Sequence, residues 1–208
     1  MTTTNKVLAL AILSIFVLLT FLSAPVESCM CYPAHPQTQY CNSEFVIIAR
    51  ILRKSTRRTR DNKDIYKIEI KKAYKMSEKA EAELKHGRLL TPHFDSLCGV
   101  DLNVGKLYVI AGRNLTVNLC DYVKEYSSMT LVERRGFAGA YKKGCSCRVD
   151  ACFRGNCPLS IGACNWVPFA KCETNYSACV PARGYTTIGK ATKCHWRRTP
   201  PYKDCLLS

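Results

Sequence analysis

The first half of the chain places its apolar residues mainly in the patterns of strands. Residues 45–52 form a continuous apolar, β-branched run suited to a buried strand. Tyr66, Ile68 and Ile70 alternate with Lys67, Glu69 and Lys71, the period-two signature of a half-buried strand. Residues 106–111 and 115–119 read as two further strands, with Gly112-Arg113-Asn114 as a tight hairpin turn between them. Thr130 and Glu133 have the spacing of a capping box ahead of a helical segment that runs to about Lys143. Gly136 and Gly139 weaken that helix and mark close packing. Residues 77–86 are a shorter helical candidate, stopped by Gly87. Several strands with one or two helices predict a mainly β fold with flanking helices, a small closed or Greek-key barrel with the helices packed outside.

Periodicity fades beyond Cys147, where Cys, Pro and Gly are frequent. Short hairpins and loops held by disulfides around a small core are expected there. Trp166 and Trp196 each follow a cysteine by two residues, so packing around disulfides is their expected role, with a binding anchor as the sharper alternative.

The other end of the chain is different again. Residues 1–28 read as a secretory signal: Lys6 supplies the positive region, residues 7–22 the apolar core, and Val26-Glu27-Ser28 the cleavage site. Cutting after Ala24 would leave Pro25 next to the cut. Cleavage after Ser28 makes Cys29 the first residue, with a free α-amine, followed closely by Cys31. No second apolar run reaches the roughly 18 residues of a membrane span, so the product is expected to be soluble and secreted into the extracellular space.

That compartment decides how the 14 cysteines are read. An even count in a secreted chain points to disulfides; zinc is the competing use of Cys-x-Cys spacing. Cys29, Cys31, Cys41, Cys98, Cys120 and Cys145 form an even group in the first half. Cys147, Cys152, Cys157, Cys164, Cys172, Cys179, Cys194 and Cys205 form another. The boundary falls at Ser146, giving domains 29–145 and 146–208. Spacing leaves the pairing open, since six cysteines allow about 15 connectivities and eight about 105.

The net charge of +15 adds a candidate surface. Arg50, Arg53, Lys54, Arg57, Arg58, Arg60 and Lys63 are concentrated in one stretch, and Lys67, Lys71, Lys72 and Lys75 follow. Outside a cell such a face suits heparan sulfate, anionic membranes or acidic proteins; the plainer alternative is a solvated face. Nucleic acid is not an expected partner of a secreted chain. Asn114 and Asn175 head Asn-x-Ser/Thr sequons and are glycosylation candidates.

No HExxH, GxSxG or phosphate-loop motif is present, and only His35, His86, His93 and His195 could carry proton-transfer chemistry. His35 lies between Pro33 and Pro36 and reads as a rigid turn. With every cysteine paired, no thiol nucleophile remains. A basic secreted ribonuclease would need two histidines and a lysine, which pattern alone does not exclude. Binding is the expected activity rather than catalysis.

The stretch from Cys29 to Cys41, CMCYPAHPQTQYC, closely resembles the amino terminus of the tissue inhibitors of metalloproteinases. The resemblance continues through Phe45-Val46-Ile47-Ile48-Ala49-Arg50, Ser96-Leu97-Cys98-Gly99 and Glu133-Arg134-Arg135-Gly136-Phe137. Cys164-Asn165-Trp166, Ala178-Cys179-Val180 and Cys194-His195-Trp196 carry it through the last segment. It implies an amino-terminal five-stranded OB-like barrel of the netrin type, followed by a small disulfide-rich domain. It also implies the pairings Cys29–Cys98, Cys31–Cys120, Cys41–Cys145, Cys147–Cys194, Cys152–Cys157 and Cys164–Cys179. Cys172 and Cys205 depart from the usual twelve and are expected to pair with each other.

By the same resemblance the chain has no cofactor of its own. The α-amine and carbonyl of Cys29 would chelate the catalytic zinc of a target protease, one inhibitor per enzyme. Met30, where the family more often has Thr or Ser, would enter the specificity pocket beside the zinc. Tyr32 and Pro33 would extend along the cleft, Asp95, Ser96, Leu97 and Cys98 would fill its other side, and Asn118 and Leu119 would support the same ridge. The implied targets are matrix metalloproteinases and membrane-bound sheddases. The rival expectation is a netrin-like matrix-binding module that inhibits nothing, with Arg53, Lys54, Arg57, Arg58, Arg60 and Lys63 as its heparin site.

Overall fold

The computed structural model describes residues 29–94, 97–158, 160–168, 170–182 and 193–207. The signal segment 1–28, Asp95 and Ser96 lie outside the described residues.

Strand β1 (Phe45–Lys54) shows why its sequence is continuously apolar. Phe45, Ile47, Ala49 and Ile51 face one core, with Tyr66, Ile68, Leu89, Tyr108, Ile110 and Val117. Val46 and Ile48 face a second core on the opposite side, with Tyr40, Val109, Ala111, Met129, Phe137 and Tyr141. A strand covered on both faces has no place for alternating polar residues. β2 (Lys63–Met76) buries Tyr66 and Ile68 and turns Glu69 and Lys71 to solvent. With β3 (Arg88–Pro92), β4 (Leu107–Gly112) and β5 (Tyr122–Glu125), these strands form a five-stranded antiparallel sheet in the order β3-β2-β1-β4-β5. Register shifts at Val46/Ile47, Ile48/Ala49 and Ile51/Arg53 bend β1 against β2 and curl the sheet into an OB-like half-barrel.

Residues 115–119 are not the hairpin partner of β4. Tyr122–Glu125 takes that place, and residues 113–121 cross the end of the barrel instead. Val117, fully buried, points into the barrel core, while Leu90 exchanges backbone hydrogen bonds with Leu115 (3.0 Å) and Val117 (2.8 Å). The apolar alternation in this segment therefore serves closure against β3 rather than a tight turn.

Helix α1 (Pro36–Asn42) replaces the expected rigid turn. Pro36 occupies the first helical turn, where its missing N–H costs nothing, and His35 Nδ1 accepts from Gln37 N at 3.1 Å as the cap. Helix α2 (Glu78–Leu84) is capped by Ser77 and ends before Gly87, whose φ of +57° suits glycine. The capping box is present: Thr130 Oγ1 accepts from Glu133 N (3.1 Å) and Glu133 accepts from Thr130 N (2.8 Å). It opens α3 (Leu131–Arg135), which passes through a wide turn over Gly136–Ala140 into α4 (Tyr141–Lys143). A Cβ on Gly136 would sit 2.4 Å from the Tyr141 ring.

Beyond Cys147, β6 (Arg148–Ala151) and β7 (Ala163–Trp166) pair in parallel, so this pair is a crossover and not a hairpin. Helix α5 (Lys171–Tyr176), the antiparallel pair β8 (Ser177–Pro181) and β9 (Cys194–Arg198), and α6 (Pro200–Leu207) complete it. The small core is Cys147, Cys164 and Cys179 with Val149, Cys194 and Trp196 around them. Among the described residues no helix is long and apolar enough to cross a membrane.

Candidate functional site

Residues 29–34 precede α1 as an irregular strap, and two disulfides fasten it. Cys29 is bonded to Cys98 and Cys31 to Cys120, with Cα separations of 5.0 and 5.2 Å. The two bridges lie side by side: Cys29 Sγ is 3.9 Å from Cys31 Sγ, and Cys98 Sγ is 4.0 Å from Cys120 Sγ. Four sulfurs this close resemble a metal cluster by spacing alone. Each is spent in a disulfide, so the group offers no thiolate to zinc.

The segments that receive the bridges are themselves tied together. Leu119 N donates to Cys98 O at 2.9 Å. Asn118 Oδ1 accepts from Cys120 N (2.8 Å), and Asp121 accepts from Asn118 N (3.1 Å), closing a tight turn around Leu119. Burial raises the Asp121 carboxyl above its ordinary pKa. Gln39, from α1, donates to Cys120 O at 2.9 Å and supports the turn from behind. On the other side, Leu97 N and Gly99 N both donate to Phe94 O, at 3.0 and 3.1 Å. Cys98 takes a positive φ of 63° between them. Gly99 has no room for a side chain, because a Cβ there would lie 2.2 Å from Pro92 O.

A rigid backbone thus carries an apolar crest. Met30 is 88% exposed, Tyr32 71%, Leu97 56% and Leu119 54%. Pro33 and Leu119 line one groove with Tyr32, Gln39 and Asp121. The structure therefore brings together Cys29, Met30, Cys31, Tyr32, Pro33, Leu97, Cys98, Asn118 and Leu119.

Behind the crest, α1 plugs into the second half of the chain. The Gln37 amide donates to Gly144 O (2.9 Å) and Cys179 O (2.8 Å) and accepts from Cys179 N (2.9 Å). His35 is buried against the rings of Tyr141, Trp166 and Trp196, with Nε2 3.4 Å from Glu173 O. Burial lowers its pKa from 6.5 to about 4, only partly opposed by the Glu173 carbonyl. Trp166 and Trp196 pack here and beside the small disulfide core. Neither Gln37 nor His35 was singled out from the sequence as a structural tie. The Pro-rich flank could have suggested a capped helix.

The remaining disulfides are Cys41–Cys145, Cys147–Cys194, Cys152–Cys157, Cys164–Cys179 and Cys172–Cys205. The last ties α5 to α6, where the Glu173 carboxylate also meets Arg198 (3.0 Å) and the Tyr202 hydroxyl (2.8 Å).

The basic residues divide into two kinds. Lys54 and Arg58 pair with buried Asp64 at 2.9 and 3.4 Å, and Lys54 also reaches Asp101 at 3.1 Å. Lys63 sits 4.0 Å from Asp61. Arg53, Arg57 and Arg60 are exposed and make no ion pair among the described residues. Asn114 is exposed, whereas Asn175 is half-buried on the groove wall with buried Ser177 beyond it.

Known proteins fall in line with this geometry. A family model described as tissue inhibitor of metalloproteinase matches residues 27–196. The chain is 42% identical over 205 residues to a tissue inhibitor of metalloproteinase from Drosophila melanogaster, covering 97% of each. It is 32% identical over 154 residues to metalloproteinase inhibitor 4 of Mus musculus, covering 67% of each. To metalloproteinase inhibitor 2 of Homo sapiens it is 29% identical over 206 residues, covering 91% of each. A clamped Cys-x-Cys strap, an OB-like half-barrel behind it and relatives along nearly the whole length lead to one assignment: the chain belongs to the tissue inhibitor of metalloproteinase family.

Proposed function

We propose that the protein is a secreted, stoichiometric inhibitor of zinc metalloendopeptidases, matrix metalloproteinases and related sheddases, and that Cys29 is the zinc ligand. The carrying observation is the strap itself. Its backbone is bonded on both sides of Met30, while the Met30 side chain stands 88% exposed between the bridges.

After removal of residues 1–28, the α-amine and carbonyl oxygen of Cys29 form a bidentate pair for the zinc of the target. A catalytic zinc keeps one position open for water, and a chelating pair there displaces the nucleophile. The two bridges hold the pair before the enzyme arrives, which lowers the ordering cost of binding. Met30 enters the pocket beside the zinc, where its flexible thioether adapts to deep sites. Tyr32 and Pro33 continue along the cleft. Leu97 and Cys98, with Asp95 and Ser96, occupy the opposite side, and Asn118 and Leu119 brace the ridge. Arg53, Arg57 and Arg60 give the same molecule an accessory surface for heparan sulfate.

The test is titration of protein beginning at Cys29 against a metalloproteinase catalytic domain of known active-site concentration, beside a form with one alanine ahead of Cys29. A one-to-one endpoint for the first and loss of inhibition for the second are expected. Full inhibition by the extended form would refute chelation. Inhibition by the first form should weaken below about pH 7.7, the lower end of the usual α-amine range, because a protonated amine cannot ligate zinc.

A further inference from the structure

Tyr32 has a neighbour from the far half of the chain. The Phe153 ring lies 5.8 Å from the Tyr32 ring, centroid to centroid, at an interplanar angle of 80°. This is the edge-to-face arrangement that aromatic quadrupoles favour. Both rings are also open to solvent, Tyr32 at 71% and Phe153 at 53%. An ordered aromatic pair that is more than half wet is apolar surface awaiting a cover.

Phe153 belongs to a small loop that is rigid at both ends. The Cys152–Cys157 bond closes it across a separation of five residues. Cys152 is buried, and its N–H donates to Trp166 O at 2.7 Å. Asn165 Nδ2 donates to Cys157 O (2.9 Å) and Pro158 O (3.1 Å) at the other end. Between these anchors Phe153, Arg154, Gly155 and Asn156 are all exposed, and Gly155 turns the chain with a φ of +76°. The loop thus presents an aromatic ring and a cation from a fixed frame.

We propose that this loop is a second contact surface for the target metalloproteinase, and that Phe153 is its specificity-determining residue. The proposal rests on the inhibitory reading above. An enzyme that covers Tyr32 in its cleft must also approach the ring packed edge-on against it, so the two aromatics form one continuous surface. The fitting enzyme surface is an apolar shelf beside the cleft with a carboxylate near Arg154. The cleft is constrained by zinc chemistry, whereas the shelf is not, so the loop discriminates among enzymes that share one catalytic centre.

The experiment measures inhibition constants of the wild type, Phe153→Ala, Tyr32→Ala and the double variant on a panel of metalloproteinase catalytic domains. Phe153 is largely exposed, so an unchanged melting temperature is expected of its variant and reports an intact fold. Phe153→Ala should weaken inhibition about five- to tenfold on the better-fitting enzymes and far less on others, mainly through faster dissociation. The double variant should lose less than the product of the two single losses, as rings sharing one surface require. Inhibition constants within about twofold of wild type on every enzyme, or losses that simply multiply, would overturn the proposal. A wild type that inhibits none of the panel would remove the inhibitory reading and the proposal together. An inhibiting wild type with an indifferent Phe153→Ala variant would remove the proposal alone.

Discussion

Acid should loosen the protein at His35 before it touches the ion pairs of the barrel. The imidazole is 1% exposed and enclosed by Tyr141, Trp166 and Trp196. Its polar neighbours are Gln37 N and Glu173 O; the Glu173 carboxylate is engaged with Arg198 and Tyr202. Burial therefore favours the neutral ring and lowers the pKa from 6.5 to about 4. Above pH 6.5 the ring is neutral in folded and unfolded chains alike, and the full stability is present. As pH falls from 6.5 towards 4, the unfolded chain takes up a proton that the folded one refuses, and stability declines. At about 1.36 kcal/mol per pH unit the loss reaches about 3 kcal/mol, complete near pH 4. The assay is denaturant unfolding from pH 7.5 to 4.5 with disulfides intact, followed by tryptophan fluorescence. Trp166 and Trp196 are the only tryptophans, and both touch the ring. His35→Asn keeps an acceptor for Gln37 N and cannot titrate in this range. It should be less stable at pH 7, but the gap to wild type should close by about 2–3 kcal/mol at pH 4.5. Parallel stability curves for the two proteins would refute the reasoning, as would an imidazole that titrates near 6.5 by NMR.

Gln37→Leu strips three buried hydrogen bonds and leaves Gly144 O, Cys179 O and Cys179 N without their partner. A loss of about 3 kcal/mol or more is expected by chemical denaturation, and a loss under about 1 kcal/mol would show that water replaces the amide. Gly136→Ala drives a methyl into the Tyr141 ring and should lower the melting temperature by several degrees; an unchanged melt would mean that the wide turn yields freely. Charge reversal at Arg53, Arg57 and Arg60 should shift heparin elution to lower salt, whereas the same change at Lys54 and Arg58 should mainly cost stability through Asp64. Equal effects of the two sets on elution would place the anion surface elsewhere. Met30→Gly should weaken protease binding, and equal inhibition constants across a panel would remove Met30 from specificity.

The elements legible from the chain were those whose signal is local. The apolar run from Phe45 and the alternation around Ile68 carry their burial in their own spacing, and Thr130 with Glu133 carries its cap in four residues. Helix α1 escaped because the side chains it buries are Pro36, Gln37 and Tyr40, which make no apolar stripe. Residues 115–119 misled because apolar alternation reports burial and not the partner strand; the partner was β3, reached across the barrel end. At the site, the strap was legible as two cysteines one residue apart. The resemblance to a known family supplied the roles. Phe153 beside Tyr32 was not legible, since nothing in a five-residue disulfide loop says which distant ring it meets.

The order in which the cysteines occur has a consequence for synthesis. Cys29, Cys31 and Cys41 emerge from the ribosome first, and their partners Cys98, Cys120 and Cys145 follow in the same order, 69, 89 and 104 residues later. For that whole interval the only thiols available to Cys29 are the wrong ones. The crossed arrangement also prevents an early bond from bringing a later pair together by simple nesting. The end of the molecule that meets the protease is therefore the end most open to mispairing, and a chain made without disulfide isomerase should yield protein with a native second half and a scrambled strap. Peptide mapping of the bonds around Cys29 and Cys31 would expose it.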